Sequence, residues 1–144
     1  MKINIKKLTE TAMLPEQGSA YAAGYDLFAD LNQNLEIKPH ETAMIPTGLA
    51  MEIPEGYFGG IFARSGLASK ESLRPANCVG GVDADYRGEV RVALHNDGDV
   101  VRVIAPHQKI AQLVLVPFLS VEFDEVNELS DTVRGVGGFG STGK

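Results

Sequence analysis

The chain has 144 residues, with 13 Lys plus Arg against 19 Asp plus Glu, a formal net charge of −6, and 44% apolar residues. That length and apolar share suit one domain with a real core, and the acidic balance excludes a general nucleic-acid or anionic-membrane surface. Cys78 is the single cysteine, which excludes an intrachain disulfide and a thiolate zinc cage and suits the cytosol.

Sixteen glycines and seven prolines divide the chain into short runs, most with the two-residue period of half-buried strands. The pattern predicts an all-β protein. Met1 to Lys7 alternates apolar and polar residues without a following apolar stretch, so it reads as a first strand, neither signal peptide nor membrane span. Turn residues Pro15, Gly18 and Ser19 follow, then strand candidates at 22–29, at Leu35 and Ile37, and at 44–51, where Pro46 hints at an edge or strand start. Tyr57 to Ala63 is another, its paired glycines suggesting a bulge or close backbone contact.

One short helix is predicted from Ser65 to Ser72, stopped by Pro75. Val90, Val92 and Leu94 alternate as a one-sided strand, and Asn96-Asp97-Gly98-Asp99 reads as a hairpin turn into Val100–Ile104. Residues 110–116 form an almost unbroken apolar run, as in a strand buried on both faces, with the Gln112 amide needing a partner. Residues 121–126 alternate as a last strand.

Between them, residues 77–89 pack Asp83, Asp85, Tyr86 and the glycines Gly80, Gly81 and Gly88 into what reads as a tight hairpin with freedom for positive φ. Taken alone, its aspartates are more simply turn caps. The tail from Arg134 to Lys144 is nearly half glycine, suits neither helix nor strand, and is expected to be flexible when empty. Gly138 to Lys144 has GxxxxGK spacing, but no Ser or Thr follows and no helix opens, so a P-loop NTPase is rejected. Successive glycine amides, the Ser141 and Thr142 hydroxyls and Arg134 still suit an anion, with Phe139 as a ring for a planar ligand, although a disordered linker fits composition equally.

Arg64, Ser65 and Gly66 lie where a strand meets the short helix and suit one anion, a simple N-cap with a surface arginine being the plainer alternative. His40, His95 and His107 lack zinc spacing, and Cys78 has no activating neighbour. Two anion-binding segments, a free aromatic ring and a carboxylate turn in a β domain point to nucleotide phosphate chemistry.

Five segments in order resemble the motifs of the trimeric dUTPases, the deoxyuridine triphosphate nucleotidohydrolases: Ala23 to Leu27, Arg64 to Gly66, Gly81 to Gly88, Gln112-Leu113, and Arg134 to Gly143. The resemblance implies a jelly-roll-like β-barrel, residues 1–133 forming one domain and residues 134–144 its flexible active-site arm. It also implies a cytoplasmic homotrimer with shared sites that hydrolyses dUTP to dUMP and pyrophosphate, limiting uracil in DNA and supplying dUMP for dTMP synthesis.

By the same resemblance Asp83 is the catalytic base that activates water toward the α-phosphorus, and Tyr86 packs under the deoxyribose to refuse a 2′-hydroxyl. Asn77, Gly81 and Val82 read uracil, and Arg91 approaches the base. Arg64, Ser65, Gly66 and Gln112 contact phosphates from the body; Arg134, Gly140, Ser141 and Thr142 do so from the tail, while Phe139 stacks on uracil. Mg²⁺ is expected on the triphosphate, with Asp26 supporting it only through water. The sequence departs from the family at Ala63, where proline often stands, and at Gly81-Val82, which replaces a bulkier pair. The rivals are a dCTP deaminase-like enzyme, which resembles this strand but carries a glutamate where Ala93 stands, and a non-catalytic nucleotide-binding regulator. Asp85 stays a turn or framework residue.

Overall fold

The computed structural model describes residues 1–138. Within them twelve short strands and one helix follow the predicted all-β pattern: β1 (Ile5–Lys7), β2 (Glu16–Gln17), β3 (Tyr25–Phe28), β4 (Leu35–Ile37), β5 (Thr42–Pro46), β6 (Leu49–Met51), β7 (Tyr57–Phe62), α1 (Ser65–Glu71), β8 (Leu73–Pro75), β9 (Gly80–Val82), β10 (Arg91–Asn96), β11 (Arg102–Ile104) and β12 (Lys109–Pro117). The long apolar run becomes β12, which pairs on one side with β3 and on the other with β7 in a five-stranded sheet ordered β2-β3-β12-β7-β9. Ile110, Ala111 and Leu113 of β12 are buried, while Val114 to Val116 are only partly so, so the run is not wholly buried on both faces as expected.

β10 lies between β5 and β8 in a three-stranded sheet, and β1-β6 and β11-β4 form two-stranded ladders. All the pairings are antiparallel. The sheets turn apolar faces to a shared core that includes Leu27, Ile45, Leu73, Leu94, Ile104 and Ile110, each fully buried. Among the described residues they do not join into one continuous barrel, while the jelly-roll-like arrangement around that core stands.

Three local expectations change. Residues 96–99 do reverse the chain, but β10 and β11 are not paired, because β11 pairs with β4. The cause is Asn96: wholly buried, its Nδ2 donates to the carbonyls of Ile37 and Val100 at 3.0 and 2.8 Å, and its Oδ1 accepts from Gly98 N at 3.0 Å. Those bonds draw the chain toward β4. Likewise, residues 77–89 are no hairpin: β9 pairs with β7, β10 pairs with β5 and β8, and the segment between them is a loop crossing from one sheet to another. Among the described residues the positive-φ glycines are Gly48, Gly56 and Gly135, so Gly80, Gly81 and Gly88 serve by lacking a side chain rather than by unusual dihedrals. Finally, residues 121–126 form no strand; Phe123 and Val121 stand exposed, since an alternating segment needs a neighbouring edge and this chain gives it none among the described residues.

Candidate active site

Pairing register gathers the first group of predicted residues. Gln112 of β12 lies opposite Asp26 of β3 on one side and Phe62 of β7 on the other. One row across the sheet therefore carries Asp26, Gln112 and the end of β7, just before Ala63 and Arg64. Gln112 Nε2 donates to the Ala63 carbonyl at 2.9 Å, satisfying the amide that looked anomalous in an apolar strand and fixing the chain where it turns into α1. Gly24 is required beside it, because a Cβ there would collide with the Gln112 carboxamide. Asp26, nearly buried, accepts from Arg64 Nε at 2.8 Å on Oδ1 and from Lys109 Nζ at 2.9 Å on Oδ2.

Arg64 is the N-cap residue of α1 and makes no side-chain cap bond. Its guanidinium joins Asp26, Ser65, Gly66 and Gln112, with Gly18, Ala22 and Gly24, around a cleft of about 190 Å³. This is a small, cationic, donor-rich site suited to phosphate oxygens. Sequence reasoning missed Lys109, whose ammonium also lies 5.6 Å from the Phe28 ring centre.

The second group surrounds the 83–90 loop. A cleft of about 280 Å³ is lined by Asn77, Gly81, Val82, Asp83, Tyr86 and Arg91, together with Met44, Ile61, Gly80, Glu89 and Val90. The Asp83 side chain is exposed and accepts no hydrogen bond from the described residues, while its carbonyl accepts from Tyr86 N at 3.2 Å. The Tyr86 hydroxyl donates to the Glu89 carbonyl at 2.9 Å, and its ring lies against Gly88, where a Cβ would meet Cζ at 2.6 Å. The phenol is thus held at one angle beside the free carboxylate. A Cβ at Gly81 would meet nothing within 4 Å, so the backbone there is open to the cleft. The side chain of Asn77 packs on Gly80.

Glu89, also missed from sequence, braces this cleft. Its Oε1 accepts from Gly48 N at 3.0 Å, and its Oε2 accepts from Arg91 Nε at 2.7 Å. That hydrogen bond, reinforced by the Glu89 charge, raises the Arg91 guanidinium above its already high ordinary value, so Arg91 is a permanent cation at the cleft mouth. Asp85 and Cys78 are exposed and line neither cleft.

One chain does not bring the two clefts together. Val82 pairs with Gly59, whereas Arg64 lies five residues further along the direction of β7. At about 3.3 Å per residue, Asp83 and the Arg64 cluster emerge roughly 15–20 Å apart, at opposite ends of β7. Arg134 joins neither cleft; its Nε donates to the Gly137 carbonyl at 2.7 Å. Phe139, Gly140, Ser141 and Thr142 lie outside the described residues.

No three His, Cys, Asp or Glu side chains among the described residues cluster as a metal cage. Asp26 meets two cations already. This donor set fits a divalent ion only if the ion is carried on substrate oxygens. No helix among them is long and apolar enough to cross a membrane.

An all-β fold with one phosphate-type cleft and one carboxylate–phenol cleft defines a nucleotide-handling protein. Comparison with known proteins makes this specific. The dUTPase family profile matches residues 10–143. The deoxyuridine 5′-triphosphate nucleotidohydrolase of Hydrogenobaculum sp. (strain Y04AAS1) is 47% identical over 143 residues, covering 99% of each chain. That of Nautilia profundicola is 47% identical over 144 residues and covers both chains completely. Among solved structures, a mutant dUTPase of Staphylococcus bacteriophage 80alpha with dUpNHpp superposes with a TM-score of 0.91 at 31% identity, covering 99% of both chains. A mutant dUTPase of phage phi11 of S. aureus, described as coordinating a structural Mg(II) ion, gives 0.81 at 29% identity over 91% of this chain and 100% of that one. The chain belongs to the dUTPase family.

Proposed function

We propose that the protein is a dUTP diphosphatase that uses Asp83 as general base and completes each active site from more than one copy of the chain. The observation that carries the reading is the 83–90 loop, with an unpaired carboxylate beside a phenol pinned by the Glu89 carbonyl. In the proposed reaction Asp83 takes a proton from water as the water oxygen bonds to the α-phosphorus. The bond from that phosphorus to its bridging oxygen breaks, leaving dUMP and pyrophosphate. General-base help of this kind is worth about 10²–10⁴-fold in rate, with positioning and charge stabilisation supplying the rest.

Backbone at Gly81 and Val82 and the Asn77 amide read uracil, Arg91 borders the base side, and Tyr86 lies under the deoxyribose. Arg64, Ser65, Gly66 and Gln112 hold phosphates. Mg²⁺ on the triphosphate oxygens would neutralise charge and fix the chain's conformation, with Asp26 near it only through water. Arg134, Phe139, Gly140, Ser141 and Thr142 act from the arm, residues 134–144, of the domain formed by residues 1–133.

A base must lie within one water of the phosphorus it serves, so the separation of the two clefts supports a site in which one copy's Asp83 faces another's Arg64. The homotrimer expected of the family is the assembly proposed here. Cytoplasmic residence, maintaining low dUTP and supplying dUMP, belongs to the same reading.

The test is a nucleotide panel with pyrophosphate readout. Purified protein with Mg²⁺ is expected to act on dUTP and barely on UTP, dCTP or dTTP. Equal turnover of UTP or dCTP would overturn the specificity, and ammonia release from dCTP would favour the deaminase rival, against which the methyl side chain of Ala93 on β10 already speaks.

A further inference from the structure

We propose that Lys109 is a positioning residue for the phosphate site, acting through Asp26 to keep the Arg64 guanidinium facing substrate. This rests on the dUTP-hydrolysing function proposed above. The first support is the division of one carboxylate. Asp26 spends Oδ1 on Arg64 Nε at 2.8 Å and Oδ2 on Lys109 Nζ at 2.9 Å. Arg64 is therefore held by one donor. Among the described residues its two terminal Nη groups have no acceptor, and Arg64 lines the cleft shared with Ser65, Gly66 and Gln112.

A guanidinium and a carboxylate left to themselves prefer a two-point fork, which is both stronger and more neutralising. Lys109 on Oδ2 competes with that fork, both for the oxygen and for its charge. The local charge count agrees: two cations share one carboxylate, leaving one positive charge for a phosphate. Without Lys109, Asp26 and Arg64 would cancel, and one Nη would turn away from the cleft.

The second support is how the backbone delivers Lys109. In regular pairing, Gln112 opposite Asp26 would place Ile110 opposite Phe28 and turn Lys109 to the other face, with Ala111 and Leu27. A register shift between Lys109 and Ala111 instead sets Lys109 opposite Phe28, on the same face as Asp26 and Gln112. Ile110 and Ala111 are both fully buried. The bulge thus seats two consecutive residues in the core and swings the lysine onto the phosphate side, as bulges near active sites re-aim side chains. The Phe28 ring, 5.6 Å from Nζ, limits where the ammonium can go.

The experiment compares Lys109→Met and Lys109→Arg in dUTP kinetics, with inorganic triphosphate binding measured by calorimetry. Lys109→Met is expected to raise KM about tenfold and weaken triphosphate by a similar factor, with kcat changed less than about twofold, because the change weakens the charge offered to the bound triphosphate and leaves Arg64 and Asp83 in place. Lys109→Arg should restore most of the loss. In an Asp26→Asn background, Lys109→Met should add less than about twofold, since both act on the same guanidinium. Full additivity of the two changes, or a loss in kcat that arginine does not restore, would overturn the proposal. A wild-type protein that binds triphosphate through Lys109 yet leaves dUTP intact would refute the enzymatic reading and leave the role of Lys109 standing.

Discussion

Gly88→Ala tests the gate against ribose without touching Tyr86 itself. The new methyl would stand 2.6 Å from Tyr86 Cζ and 3.0 Å from Cε2, where ordinary contact begins at 3.4 Å, and closer still to the hydroxyl. The ring must retreat by about 0.8 Å, the difference between that contact and ordinary van der Waals distance. Its hydroxyl donates to the Glu89 carbonyl at 2.9 Å, and a shift of this extent strains a bond worth about 0.5–1.5 kcal/mol. A wall that discriminates by one small group contributes about 1–3 kcal/mol. Losing about 1.4 kcal/mol of that amounts to tenfold in rate. The kcat/KM ratio of dUTP over UTP should therefore fall about tenfold, measured by pyrophosphate release with a melting curve as control. An unchanged ratio in an active, folded variant would refute the gate, and so would an equal loss on both substrates.

Asp83→Asn keeps the shape of the cleft and removes the base; dUTP binding should persist while kcat falls by about 10²-fold or more, and a variant retaining most of its rate would remove Asp83 from that role. Asn96→Ala deletes three buried hydrogen bonds and should lower unfolding free energy by about 2–4 kcal/mol in urea titration at fixed protein concentration. Asn96→Asp, which exchanges the donor for an acceptor facing two carbonyls, should be at least as costly. Truncation before Arg134 should leave the fold intact by circular dichroism and activity poor, whereas full activity would show the arm to be dispensable.

Long elements were legible from residues alone: β7 and β12 follow their apolar runs and α1 starts at Ser65 as expected, though a left-handed Ser72 ends it and Pro75 belongs to β8. β2 and β8 were not, since Glu16–Gln17 and Leu73–Pro75 are too short to show a period. The turn at residues 96–99 announces a reversal but not a partner, because the deciding contact is a buried amide meeting Ile37 far away in sequence. Residues 121–126 show the converse: alternation describes a face and says nothing of who covers it. The family resemblance pointed to Asp26, Arg64 and Gln112, and sheet order explains their meeting. Lys109 and Glu89 stayed hidden because their roles depend on a bulge and a loop crossing, neither of which has a sequence period.

The separation of the two clefts along β7 has a genetic consequence. Two impaired variants, Asp83→Asn in the base and Arg64→Ala in phosphate binding, carry their defects at opposite ends of that strand. Mixed within the proposed trimer, they complement: wherever a chain with intact Asp83 abuts one with intact Arg64, a whole site is restored. Random assembly of an equal mixture with one such junction per site should repair about a quarter of sites. Alleles that are each impaired in pure form would then partly rescue one another when co-expressed.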